Sequence, residues 1–297
     1  MQSVGLVFKQ NEMIAVCLKE GLSDICFAGY RILPFLELND QEKEAAILHN
    51  LERFFRTYKE GRHNLFIALP RDSVLVQSIT LPLAAEENLK ATIGYEIDRY
   101  TPYAFDDVYF DYHVLQRLPA NGTMQIFLAV VKKDRVDYYI NLLKKMNIKP
   151  RGIEFTSTAL VNLCCQTTHS PEKLIDFSRI AAAPPVQKYL LPALQKRRPG
   201  LAALFTKPPV EEDRPAVHAL IEHLHGNRYE LNLVKDSLLY HSHFFQTKSD
   251  SPEVCFRTVH AQTMKALIHV PCDLEPENDV RLLMSGKEFS REQREML

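Results

Sequence analysis

The chain has 297 residues with 36 basic and 37 acidic side chains, a formal net charge of -1. That is long enough for two domains or one large bilobed one, and no global field draws nucleic acid or acidic lipid to it. Six cysteines without a CxxC pair read as reduced core thiols; the opening MQSVGLVFKQ is not a secretion signal and no window approaches the roughly 18 apolar residues of a membrane span, so a soluble chain is expected.

Ser3 to Phe8, Glu12 to Lys19 and Leu22 to Leu33 are rich in β-formers and separated by Gln10-Asn11 and Glu20-Gly21, the spacing of a hairpin meander. Asn39 or Asp40 can cap the next helix, with Leu48, Leu51, Phe55 and Tyr58 as its buried stripe and Gly61 as its stop. Leu65 to Leu69 is a continuous apolar run, the pattern of a strand covered on both faces. The first part therefore reads βββαβ.

From Ser73 the order is a strand (Val74 to Leu81), a helix (Glu86 to Tyr100), a strand (Asp107 to Leu115), a turn at Asn121-Gly122, a strand (Met124 to Val131), a helix (Asp134 to Met146) and a strand (Arg151 to Phe155). In the first helix Leu89, Ile93 and Ile97 form one apolar stripe, with Tyr100 beyond, while Glu86, Lys90, Asp98 and Arg99 can face water. Pro102 ends it by denying the next hydrogen bond and pushing Thr101 towards extended geometry. The βαββαβ order predicts the split unit in which two helices cover one face of a four-stranded sheet. A helix from Ser157 to Cys165 is expected to return to the first part.

Between His169 and Pro215 prolines break every candidate element, and Lys196-Arg197-Arg198 lies beside Leu190, Leu191, Leu194, Leu201 and Leu204. Two readings stay open, a linker or surface insertion and a segment that docks on a membrane surface or partner. Val217 to Leu224, Arg228 to Lys235 and Leu238 to Phe245 then repeat the three-strand opening, followed by a helix (Glu253 to Ile268) and a strand (Asp279 to Met284). The same order in both halves is an internal repeat of pattern, and it suggests a bilobed fold with a cleft.

The stretches LPLAAEENLKATIGYEIDRYTPYAFDDVYFDYHVL, LAVVKKDRVDYYINLLKKMNIKPRGIEFTSTAL and RYELNLVKDSLLYHSHFF resemble the actin-like proteins of bacterial type IV pilus and type II secretion machines, the pilus assembly M protein and the cytoplasmic domain of the secretion L protein. The resemblance implies an α/β, actin-like (ribonuclease H-like) bilobed fold with an inserted ferredoxin-like βαββαβ subdomain. It divides the chain into a first lobe (1–72), the insertion (73–156), a returning helix (157–168), the Pro-rich stretch (169–215) and a second lobe (216–297). It also implies a place on the cytoplasmic face of the inner membrane, with the hexameric secretion or pilus ATPase and inner-membrane platform proteins as partners, and leaves a homodimer open. The secretion L protein continues into a membrane helix, so the charged stretch Glu288 to Leu297 suggests a second lobe cut short.

Nucleotide-binding members of such folds carry an aspartate and glycine in the first hairpin of each lobe, where backbone N–H groups hold phosphate and the carboxylate orients the metal. Here Phe8 and Lys9 occupy the first turn, with no acid before Glu12; in the second, Glu222 stands in place of the aspartate beside His223 and Leu224, and Lys287 follows Ser285-Gly286 where active members pair glycines. Both turns read as degenerate, so no nucleotide, cofactor or metal is expected. The rival implication is an ATP-binding pilus M-type protein that grips a short cytoplasmic peptide of a membrane partner.

No catalytic constellation emerges from the rest. GxSxG, HExxH and the P-loop are absent and glycines total 10. Glu96 and Asp98 point apart on their helix, and Asp106, Asp107 and Asp111 read as a solvated turn. The histidines His218, His223, His225, His241, His243, His260 and His269 cluster late. However, the first and third strands of a meander lie about 9–10 Å apart, which favours hydrogen-bonded or exposed rings over a shared metal.

Overall fold

Alternating burial builds the first sheet. β1 (Gln2–Phe8) buries Val4, Leu6 and Phe8, and β2 (Glu12–Glu20) buries Met13, Ala15 and Cys17. With β3 (Ile25–Pro34) they form an antiparallel meander in which Val4 lies opposite Cys17 and Leu6 opposite Ala15. The computed structural model describes residues 1–9, 12–21, 25–35, 38–169, 175–176, 217–224, 227–236, 238–248, 251–270 and 280–286.

α1 (Asp40–Thr57) starts at a reciprocal cap: Glu42 N–H donates to Asn39 Oδ1 at 2.9 Å and Asn39 N–H to Glu42 Oε2 at 3.0 Å. Its buried face is Ile47, Leu51, Phe54 and Phe55, not the expected Leu48 and Tyr58, which are half-buried. Leu51 and Phe55 are buried as expected, and Ile47 and Phe54 complete the face. Gly61 is not the helix stop either; it lies in the 3₁₀ turn Lys59–His63, buried against Val4.

β4 (Leu65–Leu69) runs parallel to β1, pairing Leu65 with Val4. It is not covered throughout, since Phe66 is 38% exposed. β5 (Val74–Pro82) follows, then a 3₁₀ turn, α2 (Leu89–Tyr95), α3 (Ile97–Tyr100), β6 (Val108–Leu118), β7 (Thr123–Lys132), α4 (Lys133–Lys144), β8 (Gly152–Phe155), α5 (Thr156–His169) and β9 (Ile175–Asp176). Leu89, Ile93 and Ile97 are buried as the stripe requires. The predicted single helix is nevertheless broken at Glu96, whose φ of -104° and ψ of 9° leave the helical basin. Thr101 takes φ -140° and ψ 155°, the extended geometry that Pro102 imposes. Gly122, at φ 64°, supplies the left-handed residue of the β6–β7 connection.

The expected four-stranded sheet is not formed. β5, β7 and β6 make a three-stranded sheet in that order, while β8 joins the first sheet beside β4, which gives β8-β4-β1-β2-β3-β9. The contacts that place it there are long-range in sequence: Arg151 N–H donates to Leu65 O at 2.7 Å and its Nη1 to Asn64 Oδ1 at 3.2 Å, at the start of the strand that pairs with the parallel edge of β4. Strand periodicity identifies a strand without naming its neighbour.

β10 (Val217–His223), β11 (Arg228–Lys235) and β12 (Leu238–Gln246) form a second meander, followed by α6 (Pro252–Ala266) and β13 (Val280–Gly286) parallel to β10. The sheet order β12-β11-β10-β13 repeats β3-β2-β1-β4 of the first sheet, so the internal repeat read from pattern is present in topology. The predicted Pro-rich stretch lies outside the described residues apart from His169, Ile175 and Asp176, as do Gln10-Asn11, His225-Gly226 and Lys287 to Leu297.

Packing divides the chain into one unit of residues 1–75, 90–111 and 129–186 and another of 76–89, 112–128 and 187–297. Among the described residues, no helix is long and apolar enough to cross a membrane.

Candidate nucleotide site

The first turn is closed by its own residues. Lys9 N–H donates to Glu12 O at 2.8 Å, and Lys9 Nζ pairs with Glu12 Oε1 at 3.4 Å. Glu12, the acid nearest the turn, is therefore engaged by the cation that precedes it. Phe8, 2% exposed, ends β1 with its ring stacked on Tyr139 of α4, centroids 4.2 Å apart and planes 24° apart. Burial raises the Tyr139 phenol above its ordinary range, and neighbouring Tyr138 adds to the effect. Tyr138 in turn packs edge-on to Tyr139 at 5.2 Å. This end of β1 thus presents an apolar aromatic pair beside the Lys9–Glu12 ion pair.

The second turn differs in chemistry but not in consequence. Leu224 N–H donates to Arg228 O at 3.0 Å, closing the β10–β11 hairpin. His223 stacks on Tyr229 at 4.8 Å and Tyr229 on Phe245 at 5.4 Å, so one sheet face carries an aromatic column; Cys255 Sγ donates to the Tyr229 hydroxyl at 3.1 Å. On the opposite face Glu222 lies directly across from Glu230. Glu230 is 1% exposed and accepts from Asn232 Nδ2 at 2.9 Å and Ser242 Oγ at 3.5 Å. The second turn thus has Glu222 beside a buried carboxylate that is already held by hydrogen bonds within the sheet. Ser285 and Gly286 belong to the end of β13, in register with Glu222 and His223, rather than to a separate loop.

The other sequence candidates scatter. Glu96 accepts from Tyr100 OH at 2.6 Å and Arg99 Nη1 at 3.1 Å, so it serves the helix break. Asp106 contributes its carbonyl, which accepts from Lys133 Nζ at 2.6 Å. His241 Nε2 and His243 Nδ1 are 2.9 Å apart, His243 Nε2 lies 3.3 Å from Gln262 Oε1, and His241 stacks on His269 at 4.2 Å. Those rings face α6, whereas His223 stacks at the β10 side, two strands away. Among the described residues no group of three or more His, Cys, Asp or Glu is placed to hold a metal ion.

Sequence reasoning overlooked Tyr139. Its signal was present in α4, where Val136, Tyr139, Ile140 and Leu143 fall at helical spacing and mark the face turned inward.

The family model of the type IV pilus assembly protein PilM matches residues 35–173. The type II secretion system protein L of Xanthomonas campestris pv. campestris is 38% identical over 69 residues, which span 23% of this chain and 18% of that protein. Over those stretches the chain is similar to PilM and to the secretion L protein. The structural likeness extends beyond the matched segment. A chain of the PilM-PilN type IV pilus biogenesis complex covers 96% of this chain and 81% of its own length, with a TM-score of 0.54 at 13% identity. That likeness shows the fold, an actin-like α/β fold. The cytoplasmic domain of EpsL, an inner-membrane component of the type II secretion system of Vibrio cholerae, covers 98% of this chain and 85% of its own length, at 11% identity and a TM-score of 0.48.

Proposed function

We propose that this chain is a non-catalytic scaffold of a bacterial type II secretion or type IV pilus assembly platform, working on the cytoplasmic face of the inner membrane and docking the cytoplasmic assembly ATPase. In this reading the first actin-like lobe is built on the six-stranded sheet and takes in β8, residues of β5 to β7 form the inserted subdomain, and the second lobe is built on the four-stranded sheet. The observation that carries it is the stack of Phe8 on Tyr139 at 4.2 Å, which fills with aromatic rings the end of β1 where a phosphate-binding turn would need open backbone. The facing pair Glu222 and Glu230 supports the same reading in the second sheet.

Binding between proteins is then the task the fold retains. Titration of the purified chain with Mg-ATP is expected to give no binding heat, and co-purification with the assembly ATPase or an inner-membrane platform protein is expected to succeed. Micromolar Mg-ATP binding would favour the rival reading, an ATP-binding M-type protein that grips a cytoplasmic peptide. That rival draws support from the likeness to a chain solved in a PilM-PilN complex.

A further inference from the structure

α6 turns one face to its sheet and leaves the other open. Cys255, Val259 and Ala266 are buried, whereas Met264 is 39% and Ile268 81% exposed. Met264 lies in a row one helical turn apart with Phe256 and His260, whose rings are 6.2 Å from each other, and Ile268 continues that row in the 3₁₀ turn Leu267–His269 that follows α6. Arg257 and Lys265 are exposed alongside it. From Arg257 to His269 the sequence RTVHAQTMKALIH contains no carboxylate, so this length of the outward face carries only positive and neutral groups.

Aliphatic tips flanked by cations are what an anionic lipid surface accepts. The tips reach below the phosphates while Arg and Lys stretch back to them along their own methylene stems. A protein partner would need a complementary patch of about 800 Å² to hold on, and a narrow ridge does not offer one. We propose that the outward face of α6 and of the 3₁₀ turn that follows it rests on an anionic phospholipid surface, with Arg257 and Lys265 on headgroup phosphates and Met264 and Ile268 inserted between them. Two cations and two tips make a weak, reversible contact. The inference goes beyond the docking role above and does not need it, because vesicles can be tested with neither ATPase nor platform protein present.

The test is flotation of the whole purified chain, at low ionic strength, with vesicles of phosphatidylglycerol and phosphatidylcholine against vesicles of phosphatidylcholine alone. Co-flotation is expected with the anionic vesicles only and is expected to vanish in high salt. Arg257→Glu with Lys265→Glu is expected to lower vesicle binding about tenfold or more. Ile268→Ser is expected to lower it as well, and Lys265→Arg to preserve it. All these positions are exposed, and an unchanged circular dichroism spectrum confirms the fold of each variant. Lys149→Glu, in the other packing unit, is expected to leave binding unchanged. The proposal is overturned by equal flotation with both vesicle types, by none with the anionic ones, by a Lys149→Glu loss as large as that of the α6 variants, or by capture of an acidic peptide on α6 without vesicle binding.

Discussion

Gly61 packs so closely on Val4 that a Cβ at position 61 would collide with Val4 Cγ2. The glycine is therefore required by the approach of the 3₁₀ turn to β1. Gly61→Ala is expected to destabilise the chain by about 1–3 kcal/mol, because the buried Val4 methyl cannot swing aside without leaving its rotamer. Combining it with Val4→Ala is expected to cost less than the two single changes added together. Urea denaturation of the three variants measures this, and strict additivity would count against the contact.

The stack at the end of β1 makes a second prediction. Phe8→Ala removes a side chain that is 2% exposed, and it is expected to cost about 3–5 kcal/mol. A double-mutant cycle with Tyr139→Ala is expected to return about 0.5–1.5 kcal/mol of coupling for the ring pair. Opening the turn in this way is not expected to restore Mg-ATP binding, since the acid of a phosphate site is still missing there; calorimetry on the Phe8→Ala protein decides it.

Asn39 tests the start of α1. Its side chain accepts from Glu42 N–H at 2.9 Å, so Asn39→Ala is expected to lose about 1 kcal/mol, and Asn39→Asp to lose little. The reading is the denaturation midpoint of each variant.

Stability at high pH carries the mark of Tyr100. Burial first, and then its hydrogen bond to Glu96, raise this phenol from 10.0 to about 12. The folded state thus holds the proton more tightly than the unfolded chain. The contribution is fully present below about pH 10 and is lost as pH rises towards 12. Cys17, raised by burial from 9.0 to about 11, acts in the same direction one pH unit lower. Tyr100→Phe is therefore expected to flatten the fall of the denaturation midpoint between pH 10 and 12 relative to the parent chain. An unchanged slope would remove Tyr100 from the account.

Much of this architecture was legible because it is written in local periods. The period of two in Val4, Leu6 and Phe8, and again in Met13, Ala15 and Cys17, marks the opening hairpin without any knowledge of its surroundings. The spacing of Leu89, Ile93 and Ile97 likewise locates a buried helical face, although it is silent about the break at Glu96, which the stripe crosses without a change of phase. What could not be read was long-range. Whether Gly152 to Phe155 completes the nearby sheet or returns to β4 depends on Arg151 meeting Leu65 and Asn64, contacts that no local pattern encodes. At the candidate site, the sequence shows that Phe8 is too large for a phosphate turn, but the partner that holds the ring comes from Tyr139, far along the chain.

The return of β8 to the edge of β4 has a topological corollary. If everything from Val74 to Lys132 were excised, Leu69 would lead into α4 and α4 into Gly152, an ordinary strand, helix and parallel strand. The crossover from β4 to β8 thus carries three further strands and two helices without disturbing the parallel order of the first sheet. A chain lacking that excursion should still close its first sheet in the same strand order.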